Sequence, residues 1–204
     1  MLNKWINGKY LDKNKISEIR ASFLKSKPYP NFVLDDFFNK SKLLKLKKEL
    51  EKEKYEKIEK DLFSLSHTKD LESSKSSLIK EFYELLSSNE FISLMEKLTN
   101  ERLSEKIDMQ SHIMSQGDYL LFHDDELEGR AIAYIVYLAG LSPKDGGALR
   151  LYDIKSPLNP ARKIYPKFSS FACFKVSARS LHDVEEVKSK KQRLTIGGWF
   201  YGRK

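Results

Sequence analysis

The sequence predicts an α+β protein in which a helical N-terminal half buttresses a C-terminal antiparallel barrel or double-sheet jelly roll. Three observations carry this. Before about residue 106, apolar residues recur at helical spacing, as with Leu78, Phe82, Leu85 and Leu86. After it, short segments rich in Ile, Val, Phe or Tyr alternate with turn signals: IDMQSHIM, DYLLFH, RAIAYIVYLAG, GGALRLYD, SSFACFKV, SLHDVEEV and QRLTIGGWFYG. No Pro/Gly/Ser-rich linker divides the 204 residues. One integrated domain is therefore expected over 1–204, with 1–105 as a mainly helical support and 106–204 as the β core.

Taken in order, residues 21–39 (ASFLKSKPYPNFVLDDFFN) open on a polar, Pro-marked segment, and NFVLDDFF then mixes strand formers with a turn-like Asp pair. Residues 40–60 hold nine Lys against five Glu, with Leu43, Leu44, Leu46, Leu50, Tyr55 and Ile58 as a broken helical stripe. This stretch reads as a helix with its charges on the wet side. Further helices are expected over 77–87 and 90–98, the latter with Phe91, Leu94, Met95 and Leu98 on one face. Such faces need burial, best met by the outside of a sheet.

Composition narrows the class. A 40% hydrophobic fraction with 12 Phe and 10 Tyr suits a folded core rather than disorder. Cys173 is the single cysteine, which excludes a disulfide framework and favours a reducing compartment. No apolar run reaches signal-peptide or membrane-span length, so no membrane partner is expected, and the cytoplasm, with the nucleus as a second location, is the expected site. The formal charge of +8 favours an acidic partner without identifying one. Aromatic residues are not interleaved with the basic run, so no sequence-specific nucleic-acid reader is expected. Oligomeric state is not legible.

The chemistry sits in two pieces. In LLFHDDELEGR, His123 and Asp125 are two residues apart, so in an extended strand their side chains fall on one side. His182, in SLHDVEEV, follows 59 residues after His123. Two imidazoles and one carboxylate form a facial triad suited to ferrous iron, leaving open positions for substrate and oxygen. The chain has only four histidines, and the other two, His67 and His112, read as ordinary surface or core residues. Arg193 lies eleven residues beyond His182. On an adjacent antiparallel strand it would point into the same cavity, where a buried guanidinium needs a carboxylate partner.

The segments HDDELEGRAIAYIVYLAG, DGGALRLYD and SSFACFKVSARSLHDVEEVKSKKQRLTIGGWFYG, with YPNFVLDDFF and SLSHTKDL upstream, resemble the 2-oxoglutarate/Fe(II) oxygenase superfamily. Within its prolyl-hydroxylase branch, the sequence is most similar to the catalytic domain of the ribosomal prolyl 3-hydroxylases. The resemblance spans about residues 21–203. It implies a double-stranded β-helix (jelly-roll, cupin-like) supported by N-terminal helices. It also implies His123, Asp125 and His182 as ligands of Fe(II), and Arg193 and Tyr137 as anchors of the distal carboxylate of 2-oxoglutarate. O2 would be the second cosubstrate and ascorbate an auxiliary. Related halogenases lack the carboxylate ligand, so Asp125 favours hydroxylation. The family carries a tyrosine nine residues before the first iron histidine; here that position is Met114, which cannot donate a hydroxyl hydrogen bond. Tyr119 is nearby.

The implied substrate is a prolyl residue of the decoding-centre small-subunit ribosomal protein uS12, modified at C3. Two rival readings stay open: a 2-oxoglutarate enzyme acting on another protein, a nucleic acid or a small molecule, and a non-catalytic jelly-roll binding module. Arg130, Arg150, Lys188, Lys190 and Lys191 are candidates for a peptide entrance or for solubilising charges. Trp199 and Phe200 are expected to close the core, and Asp124 to serve the local structure. Some members of the ribosomal group carry a second, non-catalytic barrel; none is expected within these 204 residues, which are either a compact form or a fragment.

Overall fold

Amphipathic helices and alternating strands sort onto the two sides of one sheet. The computed structural model describes residues 1–203. Its helices are α1 (Leu2–Trp5), α2 (Lys13–Lys25), α3 (Lys40–Leu50), α4 (Ser77–Ser87) and α5 (Asn89–Thr99). Its strands are β1 (Asn31–Leu34), β2 (Glu56–Lys60), β3 (Phe63–His67), β4 (Leu103–Ile107), β5 (Gln110–Met114), β6 (Tyr119–His123), β7 (Arg130–Tyr137), β8 (Leu149–Leu151), β9 (Arg162–Ile164), β10 (Phe171–Lys175), β11 (His182–Val184) and β12 (Arg193–Gly202).

The helices start where side chains satisfy otherwise orphaned amides. Asp12, Asn39 and Ser88 each accept from a first-turn N–H of α2, α3 and α5. Asn100, at φ 62, ends α5 in the left-handed conformation that asparagine tolerates. The helices over 77–87 and 89–99 match the expected ones to within a residue. On α4 the deeply buried residues are Ile79, Phe82, Leu85 and Leu86, while Leu78 is half-buried.

The strands form one antiparallel, twelve-stranded sheet in the order β1-β10-β7-β12-β5-β3-β6-β11-β8-β9, with β2 on β3 and β4 on β12. It is nearly closed into a barrel, a jelly roll. The Tyr29 hydroxyl donates to the Leu181 carbonyl, and Arg162 on β9 donates to the Asn31 side chain on β1, so the two ends of the sheet meet. One apolar cluster joins Phe82, Phe91 and Leu98 to Ile132, Phe171 and Phe200 on the outer face. The NFVLDDFF segment serves it: β1 pairs with β10, the Asp pair turns at Asp36 (φ 55), and Phe37 then stacks on Phe171 at 4.8 Å. A second cluster, including Met114, Tyr137, Leu149 and Phe174, lies between the barrel walls.

The N-terminal region is less purely helical than its composition suggests. The helix expected over 40–60 ends at Leu50, and residues 56–60 become β2. Lys and Glu are good helix formers, but propensity is a weak determinant that β2–β3 pairing overrides: Ile58 lies opposite Leu65, and the Tyr55 hydroxyl donates to Ser111. β3 then runs between β5 and β6, so an N-terminal segment builds one wall of the barrel interior.

Candidate active site

A cavity of about 370 Å³ opens into the barrel, and its lining includes His123, Asp125, His182 and Arg193. His123 and His182 lie directly opposite each other on β6 and β11, which brings their rings to 4.0 Å. Asp125 reaches them by a different route from the one its spacing suggested. β6 stops at His123, and Asp125 sits just beyond at φ 63, in left-handed backbone. That turn, not strand alternation, aims its carboxylate at both imidazoles. Asp124 supports it through its backbone carbonyl, which accepts from the Ser180 hydroxyl at 2.7 Å, and through its side chain, which accepts from Glu126 N–H.

The three donors are ready for a cation. Asp125 Oδ1 is 3.5 Å from His123 Nε2, and Oδ2 is 3.4 Å from His182 Nε2. One ligand atom from each residue lies within 4.8 Å of the other two, a span that a single ion bridges. Nδ1 of His123 lies 2.8 Å from the Leu121 carbonyl, and Nδ1 of His182 lies 2.7 Å from the Ser180 carbonyl. A carbonyl only accepts, so both Nδ1 atoms carry the proton and both Nε2 lone pairs face the site. Burial, then the neighbouring His182, holds the His123 pKa below its ordinary value. Burial pushes the Asp125 carboxyl up, but His182 and then His123 outweigh it and keep the group below the usual range. Two imidazoles and one carboxylate converging with open positions match ferrous iron.

Arg193, on β12, is only 4% exposed. Its Nε donates to the Gly147 carbonyl at 3.1 Å, and no carboxylate of the described residues pairs with it. Burial holds its pKa below the ordinary arginine value. Beside it lies Tyr137, fully buried, whose ring is 5.5 Å from the guanidinium and whose hydroxyl is near that cation but has no acceptor for its own proton. A buried cation and a buried hydroxyl, both short of acceptors, fit a carboxylate between them. Met114, the register partner of Arg193 on β5, completes this wall with its sulfur 3.8 Å from Nη1. Tyr119 faces Ser64 on β3 and takes no place in this wall.

Other expectations sort differently. Arg150 is held by Asp183 through two bonds of 2.7 and 2.6 Å, Lys188 pairs with Glu185, and Lys191 pairs with buried Asp145. The first pair ties β8 to β11, and the other two brace the loops that follow β7 and β11. Phe200 is buried in the outer core as expected, but Trp199 lines the cavity, with the Arg130 guanidinium 3.3 Å from its ring centre. On a strand buried on both faces, adjacent aromatics serve opposite sides. His67 and His112 also line the cavity rather than sitting as ordinary surface or core residues. The register of β3 on β5 turns both inward, a fact no local spacing encodes.

Residues 109–201 match the model of the 2OG-Fe(II) oxygenase superfamily. The chain is 36% identical over 195 residues to prolyl 3-hydroxylase OGFOD1 of Xenopus laevis, covering 93% of this chain and 38% of that protein. It is 40% identical over 119 residues to prolyl 3-hydroxylase sudestada1 of Drosophila melanogaster, covering 53% and 22%. The chain thus spans less than half the length of these relatives. Among solved structures, a Pseudomonas putida prolyl-4-hydroxylase superposes with TM-score 0.75 at 15% identity, over 93% of this chain and all of that one. A Trichoplax adhaerens prolyl hydroxylase in complex with a hypoxia-inducible-factor peptide superposes with TM-score 0.73 at 15% identity, over 95% and 96%. The barrel, the His-Asp-His cluster inside the matched stretch and these relatives agree: the chain belongs to the 2OG-Fe(II) oxygenase superfamily.

Proposed function

We propose that this chain is an Fe(II)- and 2-oxoglutarate-dependent protein hydroxylase, and that its target is a prolyl residue of uS12, hydroxylated at C3. The observation that carries the reaction class is the combination of a His-Asp-His donor set and an unpaired, buried arginine in one cavity. Support for a prolyl substrate comes from the relatives named prolyl 3-hydroxylases, which share more than a third of their matched residues with this chain.

In this reading, His123, Asp125 and His182 would hold Fe(II). Arg193 and Tyr137 would hold the distal carboxylate of 2-oxoglutarate. The iron and the keto acid together supply oxidising power from O2, with succinate and CO2 released. The protein supplies placement and shelter. The Leu121 and Ser180 carbonyls hold the imidazole tautomers, and the apolar walls, among them Leu149, Phe174 and Val184, limit water at the reacting carbon. Neither a general base nor a covalent nucleophile is required.

The test is anaerobic reconstitution with Fe(II) and 2-oxoglutarate, then oxygen with a uS12 peptide, reading peptide mass and succinate together. Gain of one oxygen on a single proline, lost in His182→Ala, supports the whole reading. Succinate without a modified peptide keeps the reaction class and removes uS12. Neither product from folded, iron-loaded protein favours a binding module.

A further inference from the structure

Two side chains in the cavity remain without a task. His67 and His112 are directly opposed on β3 and β5 and both face inward. Both are half-buried and line the open cavity, so their ring nitrogens can meet a ligand there. Their neighbours keep space open before them. Across β5, position 197 is glycine, where a Cβ would lie 3.8 Å from His112 Nδ1 and 3.2 Å from the Tyr134 carbonyl. Any larger side chain there would fill the space over the imidazole.

We propose that His67 and His112 form a specificity-determining subsite that binds a neutral amide of the substrate, next to the residue presented to the metal. This rests on the protein-hydroxylase reading. A second metal does not suit the pair, because the His123, Asp125 and His182 cluster is the only group of three such ligands among the described residues. The keto acid does not suit it either. On β5, His112 lies two residues beyond Met114, the partner of its anchor Arg193, which displaces it by about 7 Å along the strand. An anionic group would be drawn past the pair to Arg193 and the metal, and a cationic one would be repelled by both. A neutral imidazole offers one donor and one acceptor, the complement of an amide. Burial, and then the Arg193 charge, keep His112 in that neutral form, with a pKa lowered to about 4.

The experiment uses the full chain with Fe(II), 2-oxoglutarate and a pool of proline-centred peptides with randomised flanks, analysed by mass spectrometry, followed by kinetics on the best substrates. The double variant His67→Phe/His112→Phe is expected to raise peptide KM about tenfold, with a much smaller effect on kcat. His112→Gln, which keeps a donor and an acceptor, is expected to recover most of the loss. If the amide is a side chain, wild type enriches Asn or Gln beside the proline and the double variant loses that preference; if it is backbone, KM rises evenly across flanks. Unchanged KM and unchanged preference in the double variant would overturn the subsite and leave the hydroxylase reading standing. Keto-acid binding and uncoupled succinate formation with no peptide modified would overturn the protein-hydroxylase reading and the subsite with it. Should the double variant fail to fold, His67→Phe alone carries the same comparison.

Discussion

Replacing Arg193 by methionine should move stability and cosubstrate binding in opposite directions. Arg193 is a buried cation with one backbone bond and no carboxylate partner in the protein alone. An unpaired buried charge costs several kcal/mol even after relaxation, while one hydrogen bond returns about 1 kcal/mol. Methionine has similar reach and no charge. The ligand-free Arg193→Met protein should therefore be about 1–3 kcal/mol more stable than wild type, which for a chain of this size corresponds to a melting shift of roughly 3–10 °C. Binding runs the other way. A bidentate, charge-assisted pair contributes about 3–5 kcal/mol, so the Kd for 2-oxoglutarate should rise by roughly 10²–10⁴-fold. Thermal scans with and without keto acid, beside calorimetric titration of the metal-loaded protein, measure both. A variant destabilised without ligand, or one that still binds 2-oxoglutarate as wild type does, would refute the claim that Arg193 is held unpaired for a carboxylate.

Further outcomes follow from the same geometry. Met114→Tyr, which places a hydroxyl on the wall beside Arg193, should tighten 2-oxoglutarate binding by about 3–10-fold in calorimetry; unchanged affinity would show that the wall does not reach the ligand. His112 titrates near pH 6.5 when unfolded but near 4 when folded, so the unfolded chain takes up the proton first as pH falls. Stability present above pH 6.5 should be lost toward pH 4 by roughly 3 kcal/mol, and urea unfolding of His112→Phe should lack that share of the loss. Gly198→Ala would place its Cβ 1.9 Å from the Asp108 carbonyl, so backbone must move. A destabilisation of more than about 3 kcal/mol is expected in denaturant titrations.

The sequence disclosed most where one signal acted alone. Helices α4 and α5 were legible because their apolar stripes have a single period and a single face to bury. His123, Asp125 and His182 were narrowed down by the scarcity of histidines and their ordered spacing, whereas Arg193 was legible only through the family resemblance of its segment QRLTIGGWF. The α3–β2 segment was not legible, since its Lys and Glu favour a helix and only pairing with β3 turns residues 56–60 into a strand. The inward turn of His67 and His112 was hidden for a related reason. They lie 45 residues apart, and their opposition exists only in the register of β3 on β5. The aim of Asp125 depends on a left-handed residue at a strand end, which a period-two rule cannot express.

The most direct test of the central claim is turnover under isotopically labelled dioxygen, with Fe(II), 2-oxoglutarate and a proline-containing substrate. One labelled oxygen atom in the hydroxylated product and one in succinate, both abolished by Asp125→Ala and His182→Ala, is the predicted result. Folded, iron-loaded protein that binds 2-oxoglutarate yet yields neither labelled succinate nor labelled product would contradict it.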